Sequence, residues 1–182
     1  MRIKWFSLIR ITGLLLVLLY HFFQTIFPGG FFGVDVFFTF SGFLITALLI
    51  EEFSKNHEID LIGFFRRRFY RIVPPVVLMV LVTMPFTFLV RQDYVAGIGG
   101  QIAGVLGFMT NFYELLTGGS YESQFIPHLF VHNWSLAVEV HYYILWGLAV
   151  WFLSKQAKSN GQLRGMVFLL SAAAFLISFF SM

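Results

Sequence analysis

RITGLLLVLLYH, residues 10–21, sets an arginine and a histidine at the two ends of an apolar run. Three more ionisable side chains stand in similar company: Asp35 in GVDVFF, and Glu139 and His141 in WSLAVEVHYY. An imidazole and two carboxylates can form a base with an orienting partner, the arrangement that general acid–base catalysis needs. On spacing alone, the same residues can equally form a structural polar cluster. A second group is basic: FFRRRFYR packs Arg66, Arg67, Arg68 and Arg71 among aromatic residues. Guanidinium groups bind phosphate bidentately, so a phosphorylated ligand is one reading, with Arg68 and Arg71 three apart on one helix face. Fixing topology or touching anionic lipid is the other.

These groups are unusual because of the solvent the composition implies. Of 182 residues, 58% are hydrophobic, 20% aromatic and only 12% charged, which is the composition of a membrane protein. Stretches at about 6–27, 31–50, 72–90, 135–153 and 163–181 approach the roughly 20 residues needed to cross a bilayer. The expected fold is therefore all-α, a polytopic transmembrane bundle of about five spans. A charged side chain at a span centre costs about 2.5–3.5 kcal/mol on insertion scales, so each one invites a functional reading. Arg10, closest to a rim, can snorkel to the interface. The absence of cysteine excludes disulfides and cysteine metal sites, and no metal site is expected. The net charge of +3 sits beside the spans and does not argue for nucleic acid. The first span follows Arg2 and Lys4 as a signal peptide would, but no small-x-small cleavage site follows it, so it reads as a retained helix.

Lysine and arginine placement orients the chain. With a cytoplasmic N-terminus and five spans, Arg91 is the one basic residue left outside. Segment 95–116 is long enough to cross, yet it is interrupted by glycines and carries Gln101, Asn111 and Glu114. Crossing there would put the last basic loop outside, so the segment reads as an outer interfacial or re-entrant helix. Gly118, Gly119 and Pro127 mark the loop after it. Within the first span, eleven residues turn through ~1100°, about 20° past three turns, so Arg10 and His21 share a face roughly 16 Å apart. His21, Asp35 and Glu139 each fall within roughly 6–9 Å of the outer edge.

RITGLLLVLLYH, GGFFGVDVFFTFSGFLITALLIEE, FFRRRFYRIVPP and HNWSLAVEVHYYILW, in this order, resemble the acyltransferase 3 family of integral-membrane acyltransferases, which includes bacterial cell-wall O-acetyltransferases. The resemblance runs from about residue 5 to 152 and covers the N-terminal half of such a domain, so 1–182 reads as one domain half. It implies a multi-pass cell-membrane enzyme. Acetyl-coenzyme A is taken from the cytoplasm, an envelope glycan such as peptidoglycan supplies the acceptor hydroxyl, and no cofactor is permanently bound. It further implies that His21, Asp35 and Glu139 are catalytic and that Arg10, Arg68, Arg71 and Arg66 hold the coenzyme. One departure stands out. Where the family reads WSLAVEEQFYLLW, this chain has Val140 and His141 after Glu139.

Two alternatives come from other classes. The chain can be an inactive fragment, or a partner subunit whose bundle a second chain completes, since half a bundle leaves Asp35, Glu139 and His141 short of partners in lipid. A transporter is disfavoured because the spans show no inverted half-repeat.

Overall fold

A computed structural model describes residues 4–89, 95–117 and 128–181. Gly118, Gly119, Pro127, Arg2 and Arg91, on which the loop and topology expectations drew, lie outside the described residues, as does the side chain of Arg10. The described residues form seven α-helices and short 3-10 turns, with no strand among them. These are α1 Lys4–Phe22, α2 Phe32–Asn56, α3 Leu61–Thr83, α4 Ile98–Leu106, α5 Thr110–Thr117, α6 Trp134–Gln156 and α7 Asn160–Phe180. The all-α expectation is borne out.

Four helical stretches are long and apolar enough to cross a membrane: Pro28–Asn56, Leu61–Leu89, Val131–Gln156 and Asn160–Phe180. The helix of the expected first span, α1 Lys4–Phe22, ends before the expected boundary at 27. After Phe22 the backbone turns, with Ile26 and Phe27 both donating to the Phe23 carbonyl, and a 3-10 turn, Pro28–Phe31, leads into α2. The expected third span, 72–90, begins inside a longer helical stretch, Leu61–Leu89. Asp60 caps α3 by accepting from the Gly63 N–H at 2.9 Å, so the helix starts at Leu61 and carries the arginine run inside it. It continues through Pro74 and Pro75. The missing proline N–H groups leave the Tyr70 and Arg71 carbonyls without their helical donors.

The chain divides into two compact units. The first comprises residues up to 59 and from 149 onward. Within it α1 and α2 pack closely because small residues line the contact. A Cβ on Gly33 would come within 2.5 Å of the Gly13 carbonyl and 2.8 Å of Val17, and one on Gly30 would meet the Tyr20 side chain at 2.8 Å. The helices therefore run antiparallel with Gly33 beside Gly13–Val17. Ile45, Leu49 and Phe53 on α2 and Leu163 and Val167 on α7 are buried. Glu58 joins Lys155 at 2.7 Å. His57 closes α2 in the left-handed conformation, φ 54°, its N–H bonded to the Phe53 carbonyl at 2.8 Å.

The second unit is residues 60–148. Val76 and Val80 of α3, Val105 of α4 and Phe130 form its core, with Ile72, Ile98, Ile102 and Leu136 packed around them. Segment 95–116 is not one span but two short helices. Gly107 ends α4, Phe108 turns at φ 54°, and the Met109 N–H returns to the Gly104 carbonyl at 2.7 Å. At nine residues α4 is about 13 Å long, far short of the hydrocarbon thickness.

The two kinds of glycine predict opposite outcomes. Gly33→Ala is expected to destabilise the protein by about 1–3 kcal/mol through overpacking. Gly99→Ala, where an added Cβ meets nothing within 4 Å inside α4, is expected to stabilise by up to about 1 kcal/mol. Thermal unfolding of the two variants in detergent checks both signs.

Candidate functional site

His21 occupies the last turn of α1, and its Nδ1 lies 2.8 Å from the Val17 carbonyl. A carbonyl only accepts, so Nδ1 carries the proton and Nε2 the basic lone pair. Tyr20 meets the imidazole edge-on at 5.5 Å and accepts a hydrogen bond from Gln24 Nε2 at 3.2 Å. Asp35, exposed, is the fourth residue of α2, between Gly33 and Val36, which both pack near Gly13. That register sets the Asp35 backbone roughly 10 Å down the hairpin axis from His21 rather than level with it. The backbone of Arg10 lies in α1, one helix with His21, as the shared-face argument requires.

The arginine run occupies the second and third turns of α3. Arg66 and Arg71 are exposed and Arg68 is half-buried, its guanidinium 4.8 Å from the centre of the Phe64 ring. Phe64 is itself buried and packs edge-on against Phe65 at 5.4 Å, so Arg68 stands on a fixed aromatic base. At Gly63 an added Cβ would run into the Asp60 carboxylate that caps the helix.

Glu139 and His141 lie in the early turns of α6 and are half-buried. The Tyr143 hydroxyl, one turn on, donates to Glu139 Oε1. His141 packs against the Phe112 ring at 5.5 Å. It occupies a position where the family motif has a glutamine.

The most complete polar assembly of the second unit lies elsewhere. His128 Nδ1 meets Glu114 Oε2 at 2.8 Å, with the two side chains only 17% and 8% exposed. Tyr113 flanks the imidazole at 5.5 Å between ring centres. Gln101, fully buried, donates through Nε2 to the Ala96 carbonyl at 2.7 Å and accepts from the Phe130 N–H at 3.3 Å. Asn133 Nδ2 in turn donates to the Phe130 carbonyl at 3.2 Å. Residues 128–130 are thus held on α4 and α5 by side-chain bonds. Sequence reasoning passed over this pair. Glu114 and Gln101 registered only as residues that made a span implausible, and nothing in periodicity couples them to residues 14 and 29 positions away. No group of three or more potential metal ligands occurs among the described residues.

The profile of the acyltransferase domain family matches residues 3–182. O-acetyltransferase OatA of Staphylococcus aureus is 32% identical over 150 residues, 82% of this chain and 25% of that protein. Peptidoglycan O-acetyltransferase OatA of Listeria monocytogenes is 31% identical over 139 residues, 76% of this chain and 22% of that protein. The chain spans about a quarter of the length of these relatives. No solved structure matches it.

Replacing Gln101 by leucine removes partners from the Phe130 N–H and the Ala96 carbonyl together. The expected cost is about 1–3 kcal/mol for each buried group left unpaired. Hydrogen exchange at Phe130 should accelerate while amides in the middle of α7 stay unchanged.

Proposed function

The chain belongs to the acyltransferase domain family, and from that premise we propose that it forms part of a membrane-embedded O-acyltransferase. The enzyme moves an acetyl group from cytoplasmic acetyl-coenzyme A to a hydroxyl of an envelope glycan, peptidoglycan being the acceptor that a relative's name suggests. The N-terminus faces the cytoplasm, the side where the arginines of α3 gather under the positive-inside rule.

The observation that carries this reading is the run at the start of α3. Arg68 is seated on Phe64 at 4.8 Å and Arg71 follows on the same helix face. Two guanidinium groups three residues apart can clamp adjacent phosphates, as the donor's diphosphate requires. Arg66 and Arg10 supply further positive charge. His21, with Nδ1 engaged by the Val17 carbonyl, offers Nε2 either to take a proton from the acceptor or to take up the acyl group. Asp35, near the start of α2, and Glu139, near the start of α6, are the carboxylates assigned to catalysis in this reading. The coenzyme is a substrate that arrives and leaves.

The test uses the intact membrane protein that contains this chain. Arg68→Ala is expected to weaken coenzyme A binding about tenfold or more, the loss of one charge-assisted bond. His21→Ala should leave that binding intact and lower acetyl transfer at least ~100-fold. Unchanged coenzyme affinity in Arg68→Ala would remove the phosphate assignment. Undiminished transfer in His21→Ala would remove the catalytic one.

A further inference from the structure

We propose that His128, oriented by Glu114, is the base that takes the proton of the acceptor hydroxyl. The inference rests on the acyl-transfer reading above and concerns the acceptor's proton alone. A carboxylate has no hydrogen to give, so the 2.8 Å contact fixes Nδ1 as the donor and Nε2 as the basic nitrogen of His128. An imidazole held by a carboxylate in this way is oriented for proton transfer, and the carboxylate stabilises the imidazolium that forms.

Three features separate this pair from an incidental ion pair. Glu114 is 7% exposed, and burying a carboxylate is costly enough that an apolar side chain would serve packing better. The backbone beside His128 is fixed through Gln101, so the imidazole is positioned from both sides. On the same helix as Glu114, Thr110 Oγ1 and Asn111 Oδ1 are buried with no hydrogen-bond partner among the described residues. Thr110 is one turn before Glu114 and shares its face. Buried polar atoms of this kind suit a ligand that carries hydroxyl groups.

The placement also fits the reaction. Phe130 packs on Val76 and Val80 of α3, and Arg68 and Arg71 lie earlier on that helix by a rise of roughly 8–18 Å. Phosphate-binding groups and the acceptor base are thus spaced along one helix, a separation for the coenzyme's extended arm to cover. In the step itself the acceptor oxygen bonds to the acyl carbon as its proton passes to His128 Nε2. The bond from that carbon to its carrier atom, the coenzyme sulfur in direct transfer, breaks with its electron pair left on that atom. The imidazolium then returns its proton to the thiolate or to water.

Acceptor-dependent transfer to soluble peptidoglycan fragments by the intact protein in vesicles tests the proposal. Among the described residues, the titratable groups around His128 are Glu114 and Tyr113 of α5, with His132 in the adjoining 3-10 turn. In His128→Gln the acceptor-dependent rate should fall about 100-fold with coenzyme A binding unchanged. A rate within about threefold of wild type overturns the proposal. If His128→Gln loses coenzyme binding, Glu114→Gln decides. Its amide oxygen still accepts from Nδ1–H but carries no charge to balance the imidazolium, so kcat for acceptor-dependent transfer should fall about tenfold or more with coenzyme A binding unchanged; an unchanged kcat overturns the proposal. Absence of transfer by the wild-type protein would instead count against the acyl-transfer reading itself.

Discussion

Hydrocarbon offers a polypeptide no hydrogen-bond partner, and every backbone N–H and C=O placed there must be satisfied within the chain. The long helices meet that demand through their own ladders, Pro74 and Pro75 of α3 aside, and several helix ends among the described residues are closed by a specific device. Asp60 caps α3, His57 closes α2 in a left-handed turn, and Ser159 opens α7 by accepting from the Gln162 N–H. Where segment 95–117 breaks into two short helices, the repair is made by a side chain. Gln101 bonds the Ala96 carbonyl with one end of its amide and the Phe130 N–H with the other. The irregular stretch before α6 is stable because that buried amide reaches it.

The same economy places the chemistry. Polar groups that cannot be solvated gather where the backbone is already irregular, so the His128–Glu114 pair stands beside the broken helices and not in the middle of a span. His21 sits at the last turn of α1, where helix gives way to the turn before Pro28. The arginines lie in the opening turns of α3, on a base of buried Phe64. Ionisable side chains therefore gather mostly toward helix ends, Arg71 near the middle of α3 being an exception.

Close approach is the second organising feature. Gly13, Gly30 and Gly33 let α1 and α2 meet backbone to backbone, and this contact sets the register of the hairpin. One consequence is the different axial level of His21 and Asp35. Depth counted from each span's expected end had set them level, but the register depends on where the glycines meet, which a count from the ends does not contain.

Much was legible in the sequence alone: the all-α membrane class, the family, the arginines on one helix face and the refusal of segment 95–116 to span. Each of these rests on composition, on helical period or on a motif, which are local or additive properties. Tertiary structure decided the rest. That α3 begins at Leu61 depends on the Asp60 cap outweighing the polarity of three consecutive arginines. That Glu114 pairs with His128 depends on α5 folding back on α4 at Phe108, which brings a carboxylate and an imidazole 14 residues apart to 2.8 Å. Periodicity reports which residues share a face, and a pairing across a turn is invisible to it because the turn's geometry, not the spacing, sets which faces meet.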